Sequence, residues 1–161
     1  MPADYWTTTL PSQMETSSAR TPSLFAYYAA LNLLDARVLF SKLKVSELLE
    51  PGTQAKKSSL ERHHLFPKGY LKTEKITENR DVNQVANFAL VEWIDNIEVS
   101  DTAPSEYYPK YAKRFESHEL QQMCYWHGLP DGWSTMSYRE FLPARRVAMA
   151  KVIKDGFDTL R

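Results

Sequence analysis

From Thr21 onward the chain reads as apolar stretches of helical period separated by short polar breaks. Leu24 to Phe40 is apolar nearly all round, which predicts a largely buried helix with Tyr27, Tyr28, Leu31, Leu34 and Leu39 in the core. Thr21-Pro22 is a good start for it, a capping threonine followed by a proline whose φ is preset for the first turn. Val45 to Leu49 predicts a second, short helix stopped by Pro51-Gly52. Leu60 to His63 reads as a short strand and Phe88 to Val91 as another, with Asn79 to Ala86 between them helical or irregular. Glu92 or Trp93 then opens a helix carrying Asn96, with Glu92, Asn96 and Ser100 on one face at a spacing of four. Ala103-Pro104-Ser105 starts a helix through Tyr107, Tyr108, Tyr111 and Phe115, aromatics better suited to core packing than to stacking on bases. Ser117 is a candidate cap for a helix ending at Trp126 or His127 before Gly128. Ser137-Tyr138-Arg139-Glu140 is a capping box opening a final helix through Phe141, Val147, Met149, Ile153 and Phe157, kinked or shifted by Pro143.

The first twenty residues, rich in Thr, Ser and Pro, predict a linker or extended arm. The expected fold is therefore α+β and mostly helical, a small strand-strand-helix unit within a helical scaffold. Residues 1–20 would be the arm and 21–161 a single domain: a helical lead-in (21–52), the strand-strand-helix core and following helix (58–116), and C-terminal helices (117–161).

The 161 residues suffice for one domain with a real core. Cys124 is the sole cysteine, which excludes an intrachain disulfide and a thiolate zinc cluster; beside Met123, Tyr125 and Trp126 it reads as a buried structural thiol. No signal pattern or bilayer-length apolar run is present, so the expected location is cytoplasmic, with no membrane partner. A formal net charge of zero argues against a strongly basic, nonspecific nucleic-acid binder. The charges are nevertheless uneven. Lys56, Lys57, Arg62, Lys68, Lys72 and Lys75 outnumber Glu61 and Glu74, whereas from Glu92 to Glu106 every charge is acidic. No glycine-rich phosphate loop supports NTP hydrolysis.

The cationic stretch surrounds Arg62-His63-His64-Leu65-Phe66-Pro67. Two histidines and a nearby asparagine without a thiolate suggest a hard-metal site. Metal-assisted phosphodiester hydrolysis needs a divalent cation beside a base that activates water. Adjacent strand residues face opposite ways, but at a strand end both rings can approach one phosphate. Asn96 on a following helix would complete the set as a neutral oxygen ligand.

With Pro67, Asn87, Asp95-Asn96 and Val99 to Tyr107 in order behind the histidine pair, the chain resembles the HNH, or His-Me finger, nucleases. The combination looks like the HNH domain at the C-terminal end of GmrSD-type modification-dependent restriction enzymes and related anti-phage nucleases. The resemblance implies a ββα-metal finger with His64 as general base, His63 and Asn96 as metal ligands, and Asn87 bracing the loop that orients His64. His63 stands where many relatives carry an acid, which removes a charge from the metal site. The divalent ion would be Mg²⁺ first, with Mn²⁺, Ni²⁺ or Zn²⁺ as alternatives. Arg62, Lys68 and Lys72 are the candidate nucleic-acid contacts, and Arg145-Arg146, Lys151 and Lys154 a second set. The implied partners are DNA and a nucleotide-hydrolysing or sensing domain N-terminal to this segment; oligomeric state is left open. The alternative is a noncatalytic nucleic-acid or protein-binding module on the same scaffold, and RNA cleavage is a third reading.

Overall fold

The structure, a computed structural model, describes residues 1–49, 60–92 and 101–161. Its elements follow local sequence signals closely in the C-terminal half. Pro104 opens α6 (Pro104–Ala112), and Ser137 caps α8 (Tyr138–Asp158), its Oγ accepting the Glu140 N–H at 3.3 Å. Pro143 falls inside α8, which continues past it. Between them α7 (Ser117–Trp126) is capped by Glu116 rather than Ser117, in a reciprocal box with Glu119, and stops at Gly128 with φ +61°.

In the N-terminal half, tertiary packing overrides the local signals. Residues 1–20 are not a bare arm: a π-helical turn (Tyr5–Thr9) runs into α1 (Leu10–Gln13). Leu10, Pro11 and Met14 are buried, and Trp6 packs its ring 5.7 Å from Phe157 of α8. Helix α2 (Pro22–Leu33) starts as expected but ends seven residues before Phe40. Asp35 and Phe40 both take positive φ, so the apolar run continues as a buried loop in which Ala36, Val38, Leu39 and Phe40 all reach the core. Helix α3 (Val45–Leu49) matches the expectation. Helices α2 and α8 touch closely at Gly156, where an added Cβ would stand 2.7 Å from that of Ala30.

The sheet has two antiparallel strands, β1 (Leu60–His64) and β2 (Phe88–Glu92), paired Arg62 to Leu90, His63 to Ala89 and His64 to Phe88. Between them lie α4 (Lys68–Thr73), α5 (Asn79–Val82) and a 3₁₀ turn (Val85–Asn87). Strand β2 is buried on both faces. Ala89 and Val91 join an aromatic core of Phe66, Tyr107, Trp133, Tyr138 and Phe141, while Leu90 joins an aliphatic core formed with α1, α2 and α8. Phe66 lies 4.8 Å from the Phe141 ring and 5.3 Å from Tyr138, so the segment following β1 is anchored by burial of one large ring, about 1.5–3 kcal/mol. The chain is thus α+β and mostly helical, with a small antiparallel sheet. The Pro51-Gly52 stop expected after α3 and the helix expected to carry Asn96 lie outside the described residues. Among those described, no helix is long and apolar enough to cross a membrane.

Candidate functional site

Strand register decides where the histidine pair points. Cross-strand partners share a face, so Arg62, His64, Phe88 and Leu90 lie on one side of the sheet and His63 and Ala89 on the other. The ring contacts agree. His64 lies 4.4 Å from Phe88 and the Arg62 guanidinium sits 4.5 Å above the same ring, whereas His63 is 3% exposed with its ring 6.2 Å from Tyr107. Their separation across the sheet differs from the convergence expected at a strand end.

His64 is half-buried, and its Nε2 stands 2.9 Å from Asn83 Oδ1. An amide oxygen only accepts, so Nε2 carries the proton and the lone pair lies on Nδ1. Burial holds the His64 pKa below the ordinary 6.5, Arg62 and Lys68 push the same way, and the Asn83 hydrogen bond opposes them. The ring is therefore neutral near pH 7. Lys68 at the start of α4 and Lys72 one turn later are both exposed.

Behind His64 the backbone is fixed by Asn87, which is fully buried. Its Oδ1 accepts the Phe66 N–H at 2.8 Å, and its Nδ2 donates to Phe66 O at 3.0 Å and Val82 O at 2.9 Å. Its own carbonyl accepts the Leu65 N–H at 2.7 Å. The side chain satisfies both amide hydrogens and ties the segment after β1 to the end of α5. Tyr107 adds a hydrogen bond from its hydroxyl to Leu65 O.

Two residues to which sequence reasoning gave no part in this support complete it. Asn83 reaches His64 across 19 positions, and its sole local hint is the spacing of four from Asn87. Arg145 was a candidate DNA contact, a role that needs an outer face, yet it is fully buried and cannot serve as one, and Arg146 is 9% exposed. Arg145 donates to Ala86 O at 2.8 Å, to Phe88 O and to His127 O at 3.0 Å. Its guanidinium thereby grips the peptide groups on both sides of Asn87. The remaining basic residues of α8 that were candidates, Lys151 and Lys154, pair with Asp155 and Asp158 at i+4.

Other expected contacts fall elsewhere. Glu92 belongs to β2 and accepts a hydrogen bond from the Ser41 hydroxyl, and Asp101 Oδ1 accepts the Gly69 N–H of α4 at 3.2 Å. Cys124 is half-buried, 3.3 Å from the Tyr108 hydroxyl.

Of the expected metal ligands, Asn96 lies outside the described residues. An imidazole with an amide oxygen suits Mn²⁺, Ni²⁺ or Zn²⁺ better than Mg²⁺, which prefers carboxylates and water. Among the described residues one other His and acid group could ligate an ion: Glu116, His118 and Glu119. Those acids already serve the α7 cap, and Glu119 pairs with Arg37 at 3.1 Å, which accounts for the cluster without an ion. Comparison with protein-family models, with curated proteins and with solved structures found no match.

Proposed function

We propose that this chain is a metal-dependent endonuclease domain that hydrolyses DNA phosphodiester bonds, built on a ββα-metal finger. One observation carries the reading: His64 stands at the end of β1 with one ring nitrogen tied to Asn83 and its following backbone tied to Asn87, beside Arg62 and Lys68. A neutral imidazole held by one nitrogen has the other available to take a proton from water. Arg62 and Lys68 would offset the charge of the phosphate under attack, and Lys72 that of a neighbouring one. His63 and Asn96 would hold a divalent ion, Mg²⁺ or its Mn²⁺, Ni²⁺ or Zn²⁺ substitutes, which when bound stabilises negative charge on the phosphate. The domain would act in the cytoplasm as the effector of a larger restriction or phage-defence protein whose N-terminal part senses or hydrolyses nucleotide.

The opposite facing of His63 and His64 favours a second reading, a noncatalytic nucleic-acid or protein-binding module that keeps the scaffold. Incubation of supercoiled plasmid with the protein and with His64→Ala, under Mg²⁺, Mn²⁺ or chelator, separates the two. The nuclease reading expects metal-dependent conversion to open-circular or linear DNA that is lost in His64→Ala. Binding without conversion under any metal would favour the module.

A further inference from the structure

Beside α5 and the start of α8 lies a cleft of about 690 Å³ lined by three arginines, Arg80, Arg139 and Arg146, against two carboxylates, Glu15 and Asp81. The formal balance is +3 − 2 = +1, and neither Arg80 nor Arg139 is held in an ion pair among the described residues. Arg146 is more than nine-tenths buried. Its Nη2 donates to Gln84 Oε1 at 3.2 Å, while its Nε has no hydrogen-bond partner among the described residues. Gln84 is in turn fixed by donating its Nε2 to Arg80 O at 2.8 Å. A buried guanidinium with an unused donor is costly unless an acceptor is supplied. An anion with several acceptor oxygens would suit the three guanidiniums that line the cleft, since arginine recognises phosphate through such oxygens.

The cleft is tied to the candidate site through consecutive residues: Asn83 bonds His64, and Gln84 bonds Arg146. We propose that the Arg80, Arg139 and Arg146 cleft binds a backbone phosphate of the DNA strand, one other than the phosphate presented to His64. The proposal rests on the nuclease reading for the identity of its ligand. It makes Arg80 and Arg139 substrate-positioning residues that set affinity and register, apart from the proton transfer at His64.

The test uses a fluorescein-labelled DNA duplex with excess chelator, its affinity measured by anisotropy from low to moderate salt. His64→Ala protein is compared with the same protein carrying Arg80→Gln and Arg139→Gln, both at exposed positions. Thermal melts confirm equal folding. Loss of a phosphate contact lowers affinity about tenfold and flattens the plot of log affinity against log salt by about 0.9 per contact. Lower affinity with a flatter slope supports the proposal. Equal affinity and slope overturn it, as does a lack of DNA binding by the parent protein. Plasmid conversion by the wild type, run in parallel, decides the nuclease reading separately. Cutting with unchanged slopes would remove the cleft alone, whereas a changed slope without cutting would keep the cleft as a phosphate site and remove the nuclease.

Discussion

Replacing Asn87 by Asp changes little in volume but reverses the hydrogen bonding of one group. The native amide donates to two carbonyls, Phe66 O and Val82 O, inside a fully buried site. An ionised carboxylate there would face both oxygens with no proton to offer. Protonation relieves half of the conflict, since one hydroxyl can donate to one carbonyl while the other oxygen still accepts from Phe66 N–H. At pH 7, holding a carboxyl of ordinary pKa near 3.9 protonated costs about 4 kcal/mol, and the carbonyl left over costs about 1–3 kcal/mol more. The total, about 5–7 kcal/mol, rivals the entire stability of many domains. The sign follows from linkage: the new carboxyl has a folded pKa raised above its unfolded value. The proton cost is therefore absent below about pH 4 and grows as pH rises. Asn87→Ala loses the same donors with no proton to gain, so its deficit of about 3–5 kcal/mol should not vary with pH. Urea unfolding followed by tryptophan fluorescence at pH 7 and pH 5 measures both. The expected result is that Asn87→Asp recovers about 2–3 kcal/mol relative to wild type on going to pH 5 and Asn87→Ala recovers none. If Asn87→Asp lies within about 1 kcal/mol of wild type at pH 7, the site is not sealed as described and the brace behind His64 fails with it.

In metal-free protein, an NMR titration of the His64 ring should give a midpoint below 6.5, shifted further down in Asn83→Ala because the hydrogen bond that opposes the shift is gone; a midpoint above 6.5 would contradict its burial. His127 is fully buried with Nε2 donating to Arg37 O at 2.8 Å, and burial lowers its pKa to about 4. Its folded pKa is depressed, so its contribution is intact above pH 6.5 and lost as pH falls toward 4, worth about 3 kcal/mol over that window. Denaturation of wild type beside His127→Gln checks this, and parallel curves would contradict it. Arg145→Met deprives three carbonyls, two of them buried, of their donor and should cost about 3–5 kcal/mol. That is a midpoint shift of about 2 M urea, and a shift under about 0.5 M would show that the guanidinium is not what holds residues 86–88.

Local chemistry made much of this fold readable. Pro22, Pro104 and Ser137 mark helix starts because capping and a fixed φ act within one turn, and β1 and β2 are short runs whose pairing puts His64 at a strand end. What was not readable depends on contacts distant in sequence. Residues 5–13 have a polar, proline-containing sequence and become helical against α8. The end of α2 is hidden because Leu34 to Phe40 stays apolar while leaving the helix, its side chains going to the core from a loop. Asn83 carried little signal beyond its spacing from Asn87 because its partner lies on another element. Arg145 did carry one. It stands four residues from Phe141 and four from Met149, both fully buried, so helical spacing alone places it on the inward face; its charge suggested the outer face instead.

The position of Arg145 also bears on which part of the chain is the working unit. Residues 58–116 were expected to hold the strand-strand-helix core and the helix after it, yet groups that hold the described part of that span lie beyond it. Phe66 packs on Tyr138 and Phe141, the Tyr138 hydroxyl donates to Asp81 O at 2.6 Å, and Arg145 binds the peptide groups flanking Asn87. All three come from α8. On the other face Leu90 requires the aliphatic core that α1, α2 and α8 build together. A fragment of residues 58–116 would thus expose both faces of β2 and leave the carbonyls of residues 81, 86 and 88 without their α8 donors. It should show no cooperative thermal transition by circular dichroism, whereas residues 1–161 should melt in one step. A fragment that melts cooperatively would mean that residues 58–116 are self-supporting and that α8 is an addition to them, which the buried guanidinium and the two-sided burial of β2 argue against.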